Sequence, residues 1–351
     1  MSEKEYYLKK ESENIDKLRQ LISTMPEFCK RFFLGIEQSS EVSTRLGYAR
    51  DINLFLRYLK EVNPEIKKRN EITLEDMNKI TTFDIDEYLS YLTKYEIDGT
   101  VYTNDKTAKR RKLSSLRSLF KYLNKMKMIE SDPTYLVANP KEKREDKVIT
   151  YLDRDEVANL VEIVETGLGI EMSERQKKAC DKTRVRDLTI VITLLGTGIR
   201  VSELVGLNIE DVDLKKDEIK VTRKGNYIGM VTIGEEVHEA INDYIENVRN
   251  KIEPKEGHEN ALFISENNTR ISVRSVERVV KKYSTAVTSK KITPHKLRST
   301  HGTTLYNETG DIKGVADRLG HTNIQTTSKY YTEIFDEKKK EFSNIVTLRK
   351  E

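Results

Sequence analysis

The apolar positions of this chain recur mostly at three- and four-residue intervals, the period of a helix that buries one face. Ile15, Leu18, Leu21 and Ile22 repeat in this way before Pro26 breaks the pattern. Leu46, Ala49, Ile52, Leu54, Phe55, Leu56 and Leu59 build a stronger apolar face that ends by Pro64, with Ser43 as the expected N-cap. Ile85, Tyr88, Leu89 and Leu92 predict a helix over residues 84–95, and Leu113, Leu116, Leu119, Phe120 and Leu123 predict another over 106–126. Further helices are expected at 154–165, through Ile190, Val191, Leu194 and Leu195, and at 235–251, 272–288 and 294–309. A polar stretch separates the first of these from Thr183. Two segments depart from the helical trend. Residues 218–222 alternate in period two and 227–233 do so more loosely, so with Arg223-Lys224-Gly225-Asn226 between them they read as a hairpin.

A break in the pattern divides the chain. Residues 131–150 contain Pro133, Pro140 and the charged run Lys141-Glu142-Lys143-Arg144-Glu145-Asp146-Lys147, which argues for a linker. The expected organisation is an N-terminal helical extension (1–38), a helical domain (39–130), the linker, a second domain (151–332) and a tail (333–351). A chain of 351 residues is long enough for two separate cores. The expected fold class is mainly α with one small antiparallel β-hairpin or sheet.

Composition narrows the compartment more than the partner. No apolar run approaches the length of a membrane span, and Met1-Ser2-Glu3-Lys4-Glu5 lacks a signal-peptide pattern, so a cytoplasmic protein with no membrane partner is expected. Cys29 and Cys180 are far apart and form no metal spacing, which fits reduced thiols. The net charge of +4 comes from 62 basic against 58 acidic residues, so any basic surface must be local. The helix at 106–126 supplies one. Lys106, Lys109, Arg110, Arg111, Lys112 and Arg117, followed by Lys121 and Lys125, crowd it with almost no acid between. Salt-bridged faces alternate in sign and this one does not, which makes it a candidate surface for tracking phosphates.

The chemistry concentrates near the C-terminus. Thr293-Pro294-His295-Lys296-Leu297-Arg298 is followed by Leu319-Gly320-His321 and then Tyr330, and two of the chain's five histidines, His295 and His321, belong to these motifs. Upstream lies Gly196-Thr197-Gly198-Ile199-Arg200-Val201-Ser202-Glu203. Cleavage of a phosphodiester builds charge on its non-bridging oxygens. A guanidinium can hold those oxygens bidentately and keeps its charge, which suits Arg200 and Arg298 to the task. Thr293-Pro294 reads as an N-cap with proline at the first helical position, placing His295 and Arg298 in a first turn that itself favours an anion. A tyrosine is the natural nucleophile of such a set, but a phenol of pKa about 10 needs a base and strong positive charge beside it.

Taken together, Thr197-Gly198-Ile199-Arg200-Val201-Ser202-Glu203-Leu204, the His-x-x-Arg run and Leu319-Gly320-His321 through Ile324-Gln325-Thr326-Thr327 to Tyr330 resemble the tyrosine site-specific recombinases, the phage integrase and Xer family. The likeness runs from about residue 40 to the C-terminus. With Val221-Thr222-Arg223-Lys224-Gly225 it resembles most the single-protein Xer type of Gram-positive bacteria. The resemblance implies a SAM-like core-binding domain followed by an α-rich catalytic domain. It implies that Tyr330 attacks the scissile phosphate, leaving a 3′-phosphotyrosyl link and a free 5′-hydroxyl, while Arg200 and Arg298 clamp the non-bridging oxygens. Lys224 matches the lysine that protonates the leaving oxygen, His295 the base or hydrogen-bonding partner, and His321 a phosphate support. Glu203, one turn after Arg200, would hold this set in place. The partner implied is a double-stranded DNA recombination site bound by a homotetramer of two dimers. The tail, with Ile334, Phe342, Ile345, Val346 and Leu348, would be an apolar peg donated to a neighbouring protomer.

No metal and no cofactor are expected, because His295 and His321 have no carboxylates at ligand spacing and the phosphotyrosine conserves the energy of the broken bond. Two departures from the family pattern stand out. Ser299 takes the place where the family usually has histidine after the second arginine, and Tyr331 directly follows Tyr330, although the spacing of nine from His321 selects Tyr330. Tyr283 and Tyr306 read as core or surface residues. A type IB topoisomerase shares the chemistry without partner exchange, and the candidate tail argues against it. A DNA-binding regulator would require the loss of a catalytic residue, and none is lost. Chromosome dimer resolution and movement of a mobile element use the same site. The segment before residue 40 is too short to promise a separate arm-binding domain, so a Xer-like role is expected.

Overall fold

The computed structural model describes residues 3–140, 150–169, 173–223 and 227–320. They form two compact units, residues 7–147 and residues 148–351 joined by the first six. The fold is mainly helical, as the apolar periodicity predicts.

In the first unit the helices are α1 (Glu3–Ser23), which belongs to it from Tyr7 onward, α2 (Glu27–Gly35), α3 (Val42–Val62), α4 (Leu74–Lys79), α5 (Thr82–Tyr91) and α6 (Lys106–Lys125). Their apolar stripes meet in one core that includes Phe32, Ile52, Phe55, Leu56, Tyr88, Leu116 and Phe120. Leu18, Phe28 and Cys29 belong to that same core, so the segment expected as an extension packs with the domain that follows it. Burial pushes the Cys29 thiol well above its ordinary pKa, which keeps it protonated and inert. The N-cap of α3 is Glu41, not Ser43, which lies within the first turn. Thr73 and Thr81 close reciprocal capping boxes with Asp76 and Asp84, the local signal that starts α4 and α5.

Residues 94–103 fold into an antiparallel hairpin, β1 (Lys94–Ile97) and β2 (Thr100–Thr103), where the apolar spacing predicts a helix as far as residue 95. Gly99 (φ 79°) and Asp98 (φ 50°) supply the left-handed pair that its two-residue turn requires. Tyr95 pairs across the strands with Tyr102, and their rings stack 5.5 Å apart.

The second unit contains α7 (Arg154–Thr166), α8 (Glu174–Thr197), α9 (Val201–Gly206), β3 (Val212–Asp213), β4 (Glu218–Arg223), β5 (Tyr227–Thr232), α10 (Glu235–Asn247), α11 (Val273–Val287), α12 (Pro294–Thr309) and α13 (Ile312–Leu319). The hairpin expected at 218–233 is present and gains β3 at its edge, in the order β3-β4-β5. The polar stretch before Thr183 is largely helical and extends α8 toward its N-terminus. The core between these elements includes Ile190, Leu194, Leu204, Ile219, Val221, Val231, Ile241, Tyr244, Val280, Tyr283 and Leu297. Tyr283 and Tyr306 are both buried, which makes them core residues. Among the described residues no helix is long and apolar enough to cross a membrane.

Candidate active site

Three chain segments meet at the C-terminal end of α8. The helix stops at Gly198, whose φ of 65° is the left-handed conformation that suits glycine at such an end. The N–H of Gly198 bonds back to the Leu194 carbonyl at 3.1 Å, and the chain then turns into α9. Arg200 is the N-cap of that helix. Its backbone N–H donates to Glu203 Oε2 at 2.7 Å and its Nη1 donates to Glu203 Oε1, also at 2.7 Å. Glu203 is buried and accepts from both the backbone N–H and the guanidinium of Arg200.

Arg298 approaches from α12. Thr293 is the N-cap and Pro294 the first helical residue, although the threonine hydroxyl makes no capping bond. Arg298 is buried at 5% exposure, and its Nη1 donates to the Gly198 carbonyl at 2.6 Å while its Nη2 donates to the Leu319 carbonyl. Nη2 of Arg200 reaches the next carbonyl, Gly320, at 3.4 Å. The turn Leu319–Gly320 at the end of α13 therefore receives both arginines. Gly320 is the left-handed C-cap of that helix, with φ of 62°. His321 is the next residue.

His295 lies exposed on the first turn of α12. Partial loss of hydration, and then the positive charges of Lys296, Arg298 and Arg200, hold its pKa below the ordinary imidazole value. Those neighbours keep it neutral near neutral pH, the state in which an imidazole can accept a proton. Ser299, at the position where the resemblance leads one to expect histidine, is buried and donates to the His295 carbonyl at 3.0 Å.

Two residues to which the sequence alone assigns no role belong to this site. Nδ1 of His301 lies 2.7 Å from the Leu195 carbonyl, which can only accept, so Nδ1 carries the proton. The ring thus satisfies one of the carbonyls left open at the end of α8. A side chain at Gly198 would come within 2.6 Å of that ring and 2.9 Å of Leu319. Burial pushes the His301 pKa down to about 4, against the bond to Leu195, which raises it. Arg223, the last residue of β4, extends to Gly320, where its guanidinium occupies the space a Cβ would take. The one signal in the sequence is its place immediately before Lys224.

Lys224, His321 and Tyr330 lie outside the described residues, as do Tyr331 and the tail at 333–351. Of the site candidates, Arg200, Glu203, His295 and Arg298 are brought together.

The candidate DNA surface on α6 divides. Lys106 and Arg110 are exposed. Lys109 bonds Thr93 Oγ1 at 2.7 Å, and Arg117 donates to Asn139 Oδ1 and the Val137 carbonyl at 2.6 Å each. Arg111 pairs with the buried Asp51 at 2.6 Å while much of its side chain stays exposed. Lys112 corrects the expectation: it is buried at 7% exposure, with Nζ on Asn104 Oδ1 at 3.1 Å and 3.9 Å from Asp51. It sits on the apolar side of the helix, where the run of basic residues wraps past the exposed face.

Comparison with known proteins identifies the family of the chain. Residues 150–338 match the phage integrase family, and residues 30–127 match the phage integrase N-terminal SAM-like domain. The chain is 32% identical to the tyrosine recombinase XerC of Caldanaerobacter subterraneus subsp. tengcongensis, over 88% of this chain and 83% of the relative. It is 29% identical to XerS of Streptococcus thermophilus, over 94% of this chain and 98% of the relative. In fold it is similar to the XerH site-specific recombinase bound to a palindromic difH substrate, with a TM-score of 0.64 and 19% identity over 88% of this chain and 81% of that one.

Proposed function

This chain belongs to the phage integrase family and is a tyrosine recombinase, an enzyme that cleaves and rejoins DNA, and on that premise we propose that it acts as a single-protein, Xer-type resolvase of chromosome dimers. The observation that carries the chemistry is the turn Leu319–Gly320, whose successive carbonyls take Arg298 and Arg200. Two guanidiniums fixed by one turn suit the two non-bridging oxygens of one phosphate. The role is supported by the likeness to XerS, which extends over 98% of that relative.

In this reading the phenolic oxygen of Tyr330 forms a bond to phosphorus as the bond from phosphorus to the 5′-oxygen breaks. The phenolic proton passes to neutral His295, and Lys224 gives a proton to the departing 5′-oxygen. Arg200 and Arg298 hold the charge that develops on the phosphate, and His321 adds a donor. Preorganised donors of this kind are each worth about 10²–10³ in rate. The 3′-phosphotyrosine is then attacked by a 5′-hydroxyl from the partner duplex, which restores a phosphodiester and releases the phenol. The bond energy is conserved, so no metal, ATP or cofactor takes part. Four protomers, arranged as two dimers on two duplexes in the cytoplasm, complete the exchange, with the 333–351 tail donated between neighbours. Lys106 and Arg110 contribute to DNA affinity through phosphates.

The test is genome-wide mapping of covalently trapped DNA for the wild type beside Tyr330→Phe. One dominant site near the replication terminus, absent from the variant, is the expected result. Sites at the ends of a mobile element would make the enzyme an integrase, and an adduct that persists in the variant would move the nucleophile to Tyr331.

A further inference from the structure

Arg223 lies where two glycines leave it room. It ends β4 opposite Tyr227, and its side chain crosses Gly229 on β5, where an added Cβ would fall 2.8 Å from Nε. Its guanidinium then ends against Gly320, whose own missing Cβ it replaces. The path is built from both sides. Gly229 is buried within the sheet, and Gly320 caps α13 in the left-handed region. The neighbouring bond is independent of Arg223, because Arg318 of α13 donates to the Thr232 carbonyl of β5 at 2.7 Å.

The same turn already takes Arg298 at Leu319 and Arg200 at Gly320, so a third guanidinium has been brought to the place where two converge. Arg200 has Glu203 beside it. Arg223 differs: its Nε is buried and has no hydrogen-bond partner among the described residues. A buried donor without a partner is rare and calls for an explanation, and a guanidinium does not shed its charge to escape the cost. The end of α13 favours a cation but supplies only a fraction of a negative charge. A DNA phosphate supplies a full one.

We propose that Arg223 is a third phosphate-holding guanidinium of the active site, a further catalytic residue beside Arg200 and Arg298. The inference rests on the reading of those two as the phosphate clamp. Its role is to add positive charge on the side of the sheet, where the end of β4 reaches Gly320.

The test uses the full-length enzyme and a duplex recovered by mapping, made with either a normal scissile phosphate or a methylphosphonate, which has one anionic oxygen fewer. Arg223→Met is expected to cut the normal duplex at least about tenfold more slowly with DNA binding retained, and the deficit should shrink on the methylphosphonate. Arg223→Lys keeps the charge and should recover part of the rate. Gly229→Ala, which displaces the side chain with Arg223 still in the chain, should reproduce the deficit. Arg200→Ala serves as the reference. If its deficit shrinks on the methylphosphonate and that of Arg223→Met does not, Arg223 has no phosphate role and the proposal falls. If neither shrinks, the clamp reading itself falls and takes the proposal with it. A Gly229→Ala enzyme that cuts at the wild-type rate would also overturn it.

Discussion

Nη1 of Arg298 donates to the carbonyl of Gly198 at 2.6 Å, so one candidate arginine is oriented by the loop that carries the other. Arg200 follows Gly198 by two residues, and α12 and the α8–α9 turn are thereby locked in a single geometry. Arg298→Lys tests what this coupling does. A lysine ammonium is a compact point charge and lacks the fork needed to hold the Gly198 and Leu319 carbonyls while facing a phosphate. The variant should cleave about 10²–10³ more slowly in single-turnover assays, with DNA affinity nearly unchanged. A wild-type rate would remove Arg298 from the clamp.

His301 makes a prediction about pH. Its imidazole titrates near about 4 in the folded chain against 6.5 when unfolded, because burial disfavours the charged ring. Between those values the unfolded state binds more protons, so stability rises with pH across that window. The contribution is fully present above about 6.5 and is lost as the pH falls toward 4. Its size is of order 3 kcal/mol, from 1.36 kcal/mol per pKa unit. His301→Asn keeps a donor for the Leu195 carbonyl but has nothing to titrate. Denaturation at pH 7 and pH 4.5 should therefore show a smaller loss for the variant than for the wild type. Equal losses would place the acid sensitivity elsewhere.

The split face of α6 separates affinity from stability. Lys106→Gln with Arg110→Gln should weaken DNA binding and reduce the slope of log affinity against log salt by roughly one for each phosphate left without its cation. Lys112→Met should leave that slope alone and instead lower folding stability by about 1–3 kcal/mol, since it strips Asn104 and Asp51 of a buried partner. A slope that falls with Lys112→Met would return that residue to the DNA surface.

Much of this is legible in the sequence because helices announce themselves by period. The 294–309 helix is readable to the residue from Thr293-Pro294 and Gly310, which punctuate its two ends. The β1–β2 hairpin is not, because Tyr91, Tyr95 and Leu92 continue a helical spacing and only the left-handed pair Asp98-Gly99 betrays the turn. Arg200, His295 and Arg298 emerge through residue types suited to phosphate chemistry, and Glu203 through the family resemblance. His301 and Arg223 do not, since their meaning lies in glycines far away in sequence: Gly198 for one, Gly229 and Gly320 for the other. A glycine that clears space for a remote side chain looks, in one sequence, like any other turn residue. Lys112 shows the opposite error. Its charge reads as exposure, when its position on the helix puts it beside Asp51.

The assignment of Lys224 is the most exposed to experiment, because it concerns a single proton. An alkoxide leaving at the 5′ position is strongly basic and departs slowly unless protonated as the bond breaks. Lys224→Ala should therefore slow cleavage of normal DNA while leaving binding intact. A bridging 5′-sulfur changes the demand, since a thiolate leaves without a proton, its conjugate acid having a pKa of about 8.5. On that substrate Lys224→Ala should cut at close to the wild-type rate, whereas Arg298→Lys should stay slow because phosphate charge still develops. The pairing discriminates between an acid and a mere structural support, which would be slow on both. Failure of the sulfur substrate to rescue Lys224→Ala would take the lysine out of the acid role and require another donor at the leaving oxygen.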